Sequence, residues 1–243
     1  MASKNCFDYY KMGNEFGGIG PGKIADILIL DDYKKIKINK VILGGKIVVS
    51  NGKILQTIHA PKLPTWIQKT VKLPKLESKN FHIVSKNNIE TVNVISMKTE
   101  IVTKKTTTDL DVKNFNILSS YDKDIWKVAA MDRTFGSKTH AVGFLENFGA
   151  DVGAFASTWS FHENDMIVIG SNEKDMADAA NKLVKSQGGL IVVKNGKTLA
   201  SLPFQMGGII STDKIDKVTR NFTKINDVLL DSGCKFKKPH LIP

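Results

Sequence analysis

Met166-Ile167-Val168-Ile169-Gly170-Ser171-Asn172-Glu173-Lys174-Asp175-Met176 changes its pattern halfway along. It starts continuously apolar, as a strand buried on both faces does. Ser171-Asn172 then offers side-chain acceptors for the unpaired amides of a helix start. Glu173 and Asp175 fall in the first turn, where carboxylates meet the positive end of the helix dipole. Met176, Ala179, Ala180, Leu183 and Val184 recur at helical spacing and predict one apolar face. Gly188-Gly189 ends the helix, and Leu190-Ile191-Val192-Val193 is a second strand before Asn195-Gly196. Asn-Gly suits a tight hairpin turn because both central positions need positive φ. Strand, helix and strand at this spacing predict a βαβ unit with a right-handed crossover.

Working outward, a last helix is expected from about Ser211-Thr212-Asp213. Its face is Ile215, Val218, Phe222, Ile225 and Leu229, and Gly233 closes it. On the other side, Thr91-Val92-Asn93-Val94-Ile95 and Ile125-Trp126-Lys127-Val128-Ala129 read as strands. Residues 79–243 therefore read as an α/β domain. Residues 57–78 hold Pro61, Pro64 and Pro74 around Trp66; proline fixes φ and removes amide donors, so this stretch reads as an extended connector. Residues 1–56 read as the end of a helix at Phe7–Met12, stopped by Gly13-Asn14, followed by about four short strands over 24–30, 36–42, 47–49 and 53–55. Asn51-Gly52 joins the last two as a hairpin. The whole chain is expected to be α+β.

The 243 residues are 42% hydrophobic, enough for a buried core. No run approaches the roughly 20 apolar residues of a membrane span. No hydrophobic stretch follows the N-terminal charges, so neither a secretory leader nor a membrane role is expected, and the setting is cytoplasmic. Cys6 and Cys234 read as free thiols and are too few for a cysteine zinc site. Net charge is +11, but the lysines are scattered, with only short runs at Lys34-Lys35-Lys37-Lys40 and Lys235-Lys237-Lys238. That pattern is a solvated lysine-rich surface and not a nucleic-acid site, which leans on arginine forks and interleaved aromatics.

Gly17-Gly18-Ile19-Gly20-Pro21-Gly22-Lys23 meets the spacing of a phosphate loop, but Ile24 stands where Ser or Thr should hold Mg²⁺. A strand follows instead of a helix, and Pro21 removes an amide, so nucleotide binding is not expected. His162-Glu163 is a candidate general acid/base or metal pair, against a plain polar turn feeding the strand at Met166. Met166 occupies the position where a zinc-binding HExxH helix needs its second His. Asp132-Arg133 ends a strand, a common place for α/β sites, and serves equally as a structural ion pair. Of His59, His82, His140, His162 and His240, no two lie within four residues of each other. A catalytic metal needs about three protein ligands, so no metal or other cofactor is expected in this chain. The catalytic candidates are thus His162, Glu163, Asp132 and Arg133.

Gly18-Ile19-Gly20-Pro21-Gly22-Lys23-Ile24-Ala25-Asp26-Ile27 resembles the strand that follows the catalytic barrel of the amidohydrolase superfamily, and Val41–Val48 with Asn51-Gly52-Lys53 resembles the next hairpin of the same small β-sandwich. Gly143–Gly149, Gly153–Thr158, Met166–Met176, Gly188–Val193, Leu202-Pro203 and Gly207-Gly208 resemble the C-terminal domain of adenine deaminases. The resemblance implies a partial β-sandwich of the composite amidohydrolase kind, then an α/β adenine-deaminase C-terminal domain. It implies a metal-dependent hydrolase of purine metabolism, adenine plus water giving hypoxanthine plus ammonia, with manganese or iron in the complete enzyme. The ligands of that metal come from a His-x-His pair and further His and Asp on barrel strands, none of which precedes Phe7. No catalytic residue is carried over, and the chain alone is expected to be inactive. Its expected partner is a catalytic barrel portion or subunit; a homo-oligomer and a stand-alone small-ligand module are the other arrangements considered. Many family members have His-Asp-Ser-His-Asn where this chain has Phe161-His162-Glu163-Asn164-Asp165, and they continue beyond Lys237-Lys238-Pro239.

Overall fold

The computed structural model describes residues 3–57, 62–137, 139–159 and 165–239. The chain divides into two compact units, Met1–Lys62 and Leu63–Pro243.

The first unit has a short helix, α1 (Lys4–Tyr9), and four strands, β1 (Ile27–Asp32), β2 (Lys37–Leu43), β3 (Lys46–Ser50) and β4 (Lys53–Ile54). They pair antiparallel in the order β1-β2-β3-β4. Asn51 and Gly52 take φ of 49° and 74°, so the expected β3–β4 turn is present. The helix ends three residues earlier than expected, and Lys11 at φ 58° turns the chain before Gly13 is reached. The described residues hold one sheet layer; the opposing layer of a sandwich is not among them. Alternate residues of β1 leave both faces apolar, with Leu28 56% and Ile29 42% exposed. Lys23 donates from Nζ to the carbonyls of Gly13 and Phe16, so the glycine-rich loop uses its lysine to close itself.

The second unit is built on nine strands: β5 (Ile89–Met97), β6 (Thr103–Lys113), β7 (Asn116–Ile117), β8 (Ile125–Met131), β9 (His140–Glu146), β10 (Ala154–Ser157), β11 (Met166–Gly170), β12 (Gly189–Lys194) and β13 (Lys197–Pro203). Its helices are α2 (Glu173–Ser186) and α3 (Ile215–Asp231). The sheet order is β13-β12-β10-β11-β8-β9-β5-β6-β7. Every pairing is antiparallel except β5 with β9. The expected α/β pattern is thus corrected to a mainly antiparallel sheet within an α+β chain. The βαβ reading needs the same adjustment: β10 lies between β11 and β12 and is antiparallel to both. α2 therefore joins two parallel strands that share no hydrogen bonds.

Period-two alternation sorts the sheet into two cores. On one face Ala129, Ala154 and Ala156 meet Met176, Ala179, Ala180 and Leu183 of α2; small side chains on both surfaces let the helix approach closely. Phe155, Ile169, Leu190 and Val192 point to the other face, against Ile225 and Leu229 of α3. Each fully buried Leu, Ile or Phe here contributes roughly 1.5–3 kcal/mol. Ile215 departs from the expected α3 face; it begins the helix and is 74% exposed. Residues 63–81 form no strand, only two single-turn 3₁₀ helices at Thr65–Gln68 and Ser78–Phe81. They are tied to the unit by Val71 N to Gln187 Oε1, Lys72 N to Arg133 O and Leu76 N to Asn181 Oδ1.

Candidate functional site

One end of the nine-stranded sheet gathers most of the chemistry. Met131 pairs with both Met166 and His140, Ser157 pairs with Ile167 and Leu190, and Pro203 pairs with Gly189. The C-terminal ends of β8, β10 and β13 therefore meet the starts of β9, β11 and β12. This brings Asp132, Arg133, His140, Thr158, Trp159 and Asp165 to one rim.

Two glycines permit that crowding. Gly189 has φ +130°, and a Cβ there would stand 2.1 Å from the Leu202 carbonyl oxygen. Gly208 has φ +75°, and a Cβ there would stand 2.5 Å from Arg133 Nη1. Thr158 joins the two: its hydroxyl donates to Gly208 O at 2.5 Å and accepts from Gly189 N at 2.7 Å.

Asp132 and Arg133 serve separate partners. Asp132 Oδ1 accepts from the amides of Thr134 and Phe135, each at 3.0 Å, and Oδ2 accepts from Ser137 Oγ. The Ser137 hydroxyl, then the Phe135 amide, hold this carboxyl below its usual range. Its acceptors are thus used in its own turn. Arg133 is 2% exposed and donates from Nη1 to Gly207 O at 3.2 Å, while its buried Nε has no partner among the described residues. Burial lowers its pKa, opposed by the charge of Asp165. A buried guanidinium with so little compensation is costly. His162 and Glu163 lie outside the described residues. Trp159 meets Phe204 and Phe222 edge-on, at 6.1 and 5.8 Å between ring centroids. With Ile209, Ile210 and Val218 they line an open groove of about 340 Å³.

Sequence reasoning missed a buried ionic cluster. Lys127 on β8 is 0% exposed and donates from Nζ to Phe81 O at 3.0 Å, Asn116 Oδ1 at 2.8 Å and Glu173 Oε1 at 2.7 Å. All three ammonium protons are used. Asn116 Nδ2 also donates to Glu173 Oε1 at 2.8 Å. Burial pushes the Lys127 pKa down, partly opposed by Glu173. Burial works to raise Glu173, but the Lys127 and Asn116 hydrogen bonds outweigh it and leave the carboxyl below its usual value. The available signal was parity: Lys127 shares a strand face with Ile125, Ala129 and Met131, all buried.

Among the described residues, no three His, Cys, Asp or Glu side chains stand together to hold a metal. The described residues therefore do not fit a metal ion. Cys6 and Cys234 are not joined by a disulfide. No helix among the described residues is long and apolar enough to cross a membrane.

Fold and rim together define a mainly antiparallel α+β domain with a glycine-lined loop end and no metal cluster of its own among the described residues. A profile of the adenine deaminase C-terminal domain matches residues 100–242, and the chain belongs to that family. Similar proteins include the adenine deaminase of Cenarchaeum symbiosum, 49% identical over 243 residues, covering 100% of this chain and 40% of the relative. The adenine deaminase of Desulforamulus reducens is 32% identical over 243 residues, covering 99% of this chain and 41% of the relative. That of Kosmotoga olearia is 31% identical over 235 residues, covering 96% and 40%. The chain thus spans about 40% of the length of the curated relatives it matches.

Proposed function

We infer that this chain serves as the C-terminal portion of an adenine deaminase, the scaffold and accessory part of an enzyme that converts adenine and water to hypoxanthine and ammonia in cytoplasmic purine metabolism. The observation that carries this reading is that adenine deaminases match the chain along its whole length while it covers only two-fifths of theirs. In the complete enzyme a divalent metal, manganese or iron, supplies activated water, because water at its free pKa attacks a ring carbon too slowly. The ligands for it belong to the barrel portion, which is the partner of this chain. The four-stranded sheet of the first unit supports that partnership, since Leu28, Ile29, Ile38 and Ile47 are 56%, 42%, 43% and 46% exposed and call for cover.

The test is ammonia release from adenine by the purified chain with Mn²⁺ or Fe²⁺. None is expected. Metal-dependent release by the chain alone would overturn the division of labour.

A further inference from the structure

We propose that the loop end of the nine-stranded sheet is the surface through which the second unit docks on the remaining portion of the deaminase chain, with Trp66 and Phe135 as its anchors. This rests on the proposed function and adds to it the surface used. Three loops lie side by side at that end. Gly207 N donates to Ile67 O at 2.7 Å, Lys72 N to Arg133 O at 2.7 Å, and Arg133 Nη1 to Gly207 O at 3.2 Å. Each loop presents one large apolar side chain to solvent: Trp66 at 70%, Phe135 at 86% and Ile210 at 49% exposure.

These side chains ride on fixed backbone. Phe135 follows the Asp132 turn, and a Cβ on the next residue, Gly136, would stand 3.2 Å from Lys72 O. Trp66 sits in the 3₁₀ turn Thr65–Gln68, and Ile210 in a loop closed by mutual hydrogen bonds with Met206 at 3.0 and 3.1 Å. Rigid aromatic anchors bind with little loss of conformational freedom, and Trp is the residue type most enriched at interface hot spots.

The occupant is set by length and place. The relatives carry a further 60% or so of chain beyond the part matched here, because the match covers 40%. The same rim carries the strand ends at Met131, Ser157 and Pro203, so a partner seated on Trp66, Phe135 and Ile210 would cover the end of the sheet. Exposed aromatics elsewhere in the unit, such as Phe115 at 68% in the β6–β7 turn, are not joined to these loops by any hydrogen bond among the described residues.

Hydroxyl-radical footprinting reads this directly, because it reports the exposure of individual aromatic side chains. The isolated chain is compared with the same chain joined to the unmatched portion of the Cenarchaeum symbiosum relative. Oxidation of Trp66 and Phe135 is expected to fall by roughly threefold or more on joining, as for side chains shut off from water in an interface core, while Phe115 is unchanged. Equal labelling of Trp66 and Phe135 in both forms overturns the proposal. So does protection already present in the isolated chain that fades on dilution, which marks a second copy as the occupant. The deaminase reading is judged separately, by ammonia release from the joined chain.

Discussion

The guanidinium of Arg133 lies so close to Gly208 that a β-carbon on the glycine would stand 2.5 Å from Nη1. The glycine is required twice over, by this approach and by its φ of +75°. Gly208→Ala should cost about 1–3 kcal/mol in strain and displacement. In a unit of this size that corresponds to a melting temperature lower by about 2–4 °C per kcal/mol, read by thermal unfolding.

Among the described residues Arg133 has one hydrogen bond and an unpartnered Nε, with the charge of Asp165 acting on it. Arg133→Met, which keeps the stem and removes the buried charge, should leave the melting temperature unchanged or raise it. A large drop would show that the guanidinium is a structural tie. Unchanged stability with impaired activity in the joined enzyme would place it in function.

The Lys127–Glu173 pair behaves oppositely, because every proton of Lys127 is used. Lys127→Ala strands a half-buried carboxylate and opens a cavity, and should cost about 3–5 kcal/mol in chemical denaturation. Lys127→Met combined with Glu173→Leu should recover much of that loss. A double mutant as unstable as the sum of the singles would contradict the coupling.

The same pair sets an acid limb. Glu173 is held below the value of 4.5 that it has when free, so its contribution is present above that pH and is lost as pH falls through the lower folded value. Stability of the wild-type chain should fall on acidification below about 4.5, and more steeply than that of Glu173→Gln, which has no proton to take up.

Asp175 shows how far the sequence was legible. Its place in the first turn of α2 was readable, as was the Asn195-Gly196 turn. Their connection was not: Asp175 accepts from Asn195 N at 2.7 Å and Gly196 N at 2.8 Å, across a separation that only the β11-α2-β12 path closes. Asp175→Ala should cost about 1–3 kcal/mol and speed amide exchange at Gly196.

Local signals were legible in the same way elsewhere. Asn172 caps α2 through Asp175 N, and Met176, Ala179, Ala180 and Leu183 form its buried face. Two Asn-Gly turns have the expected left-handed angles, whereas Asn114-Phe115 takes φ of 51° and 60° with a residue that gives no turn signal. Long strands such as β6 escaped because Thr103–Lys113 is polar on its exposed positions. Strand order escaped because β10 inserts between β11 and β12, a pairing set by tertiary packing and not by neighbours in sequence. At the rim, Asp132 and Arg133 were found by their place at a strand end, but whereas Asp132 bonds within its own turn, the Arg133 partner Gly207 lies 74 residues away and only the fold brings it near.

The proposed function makes this chain the C-terminal portion of an adenine deaminase and puts the catalytic metal in the rest of the enzyme. Its most direct test is ammonia release from adenine, with and without Mn²⁺, by this chain joined to the unmatched portion of the Cenarchaeum symbiosum relative, beside the chain alone. Metal-dependent release is expected from the joined protein and none from the chain alone. A joined protein that folds and binds metal but leaves adenine intact, under conditions in which the whole relative deaminates it, would overturn that assignment.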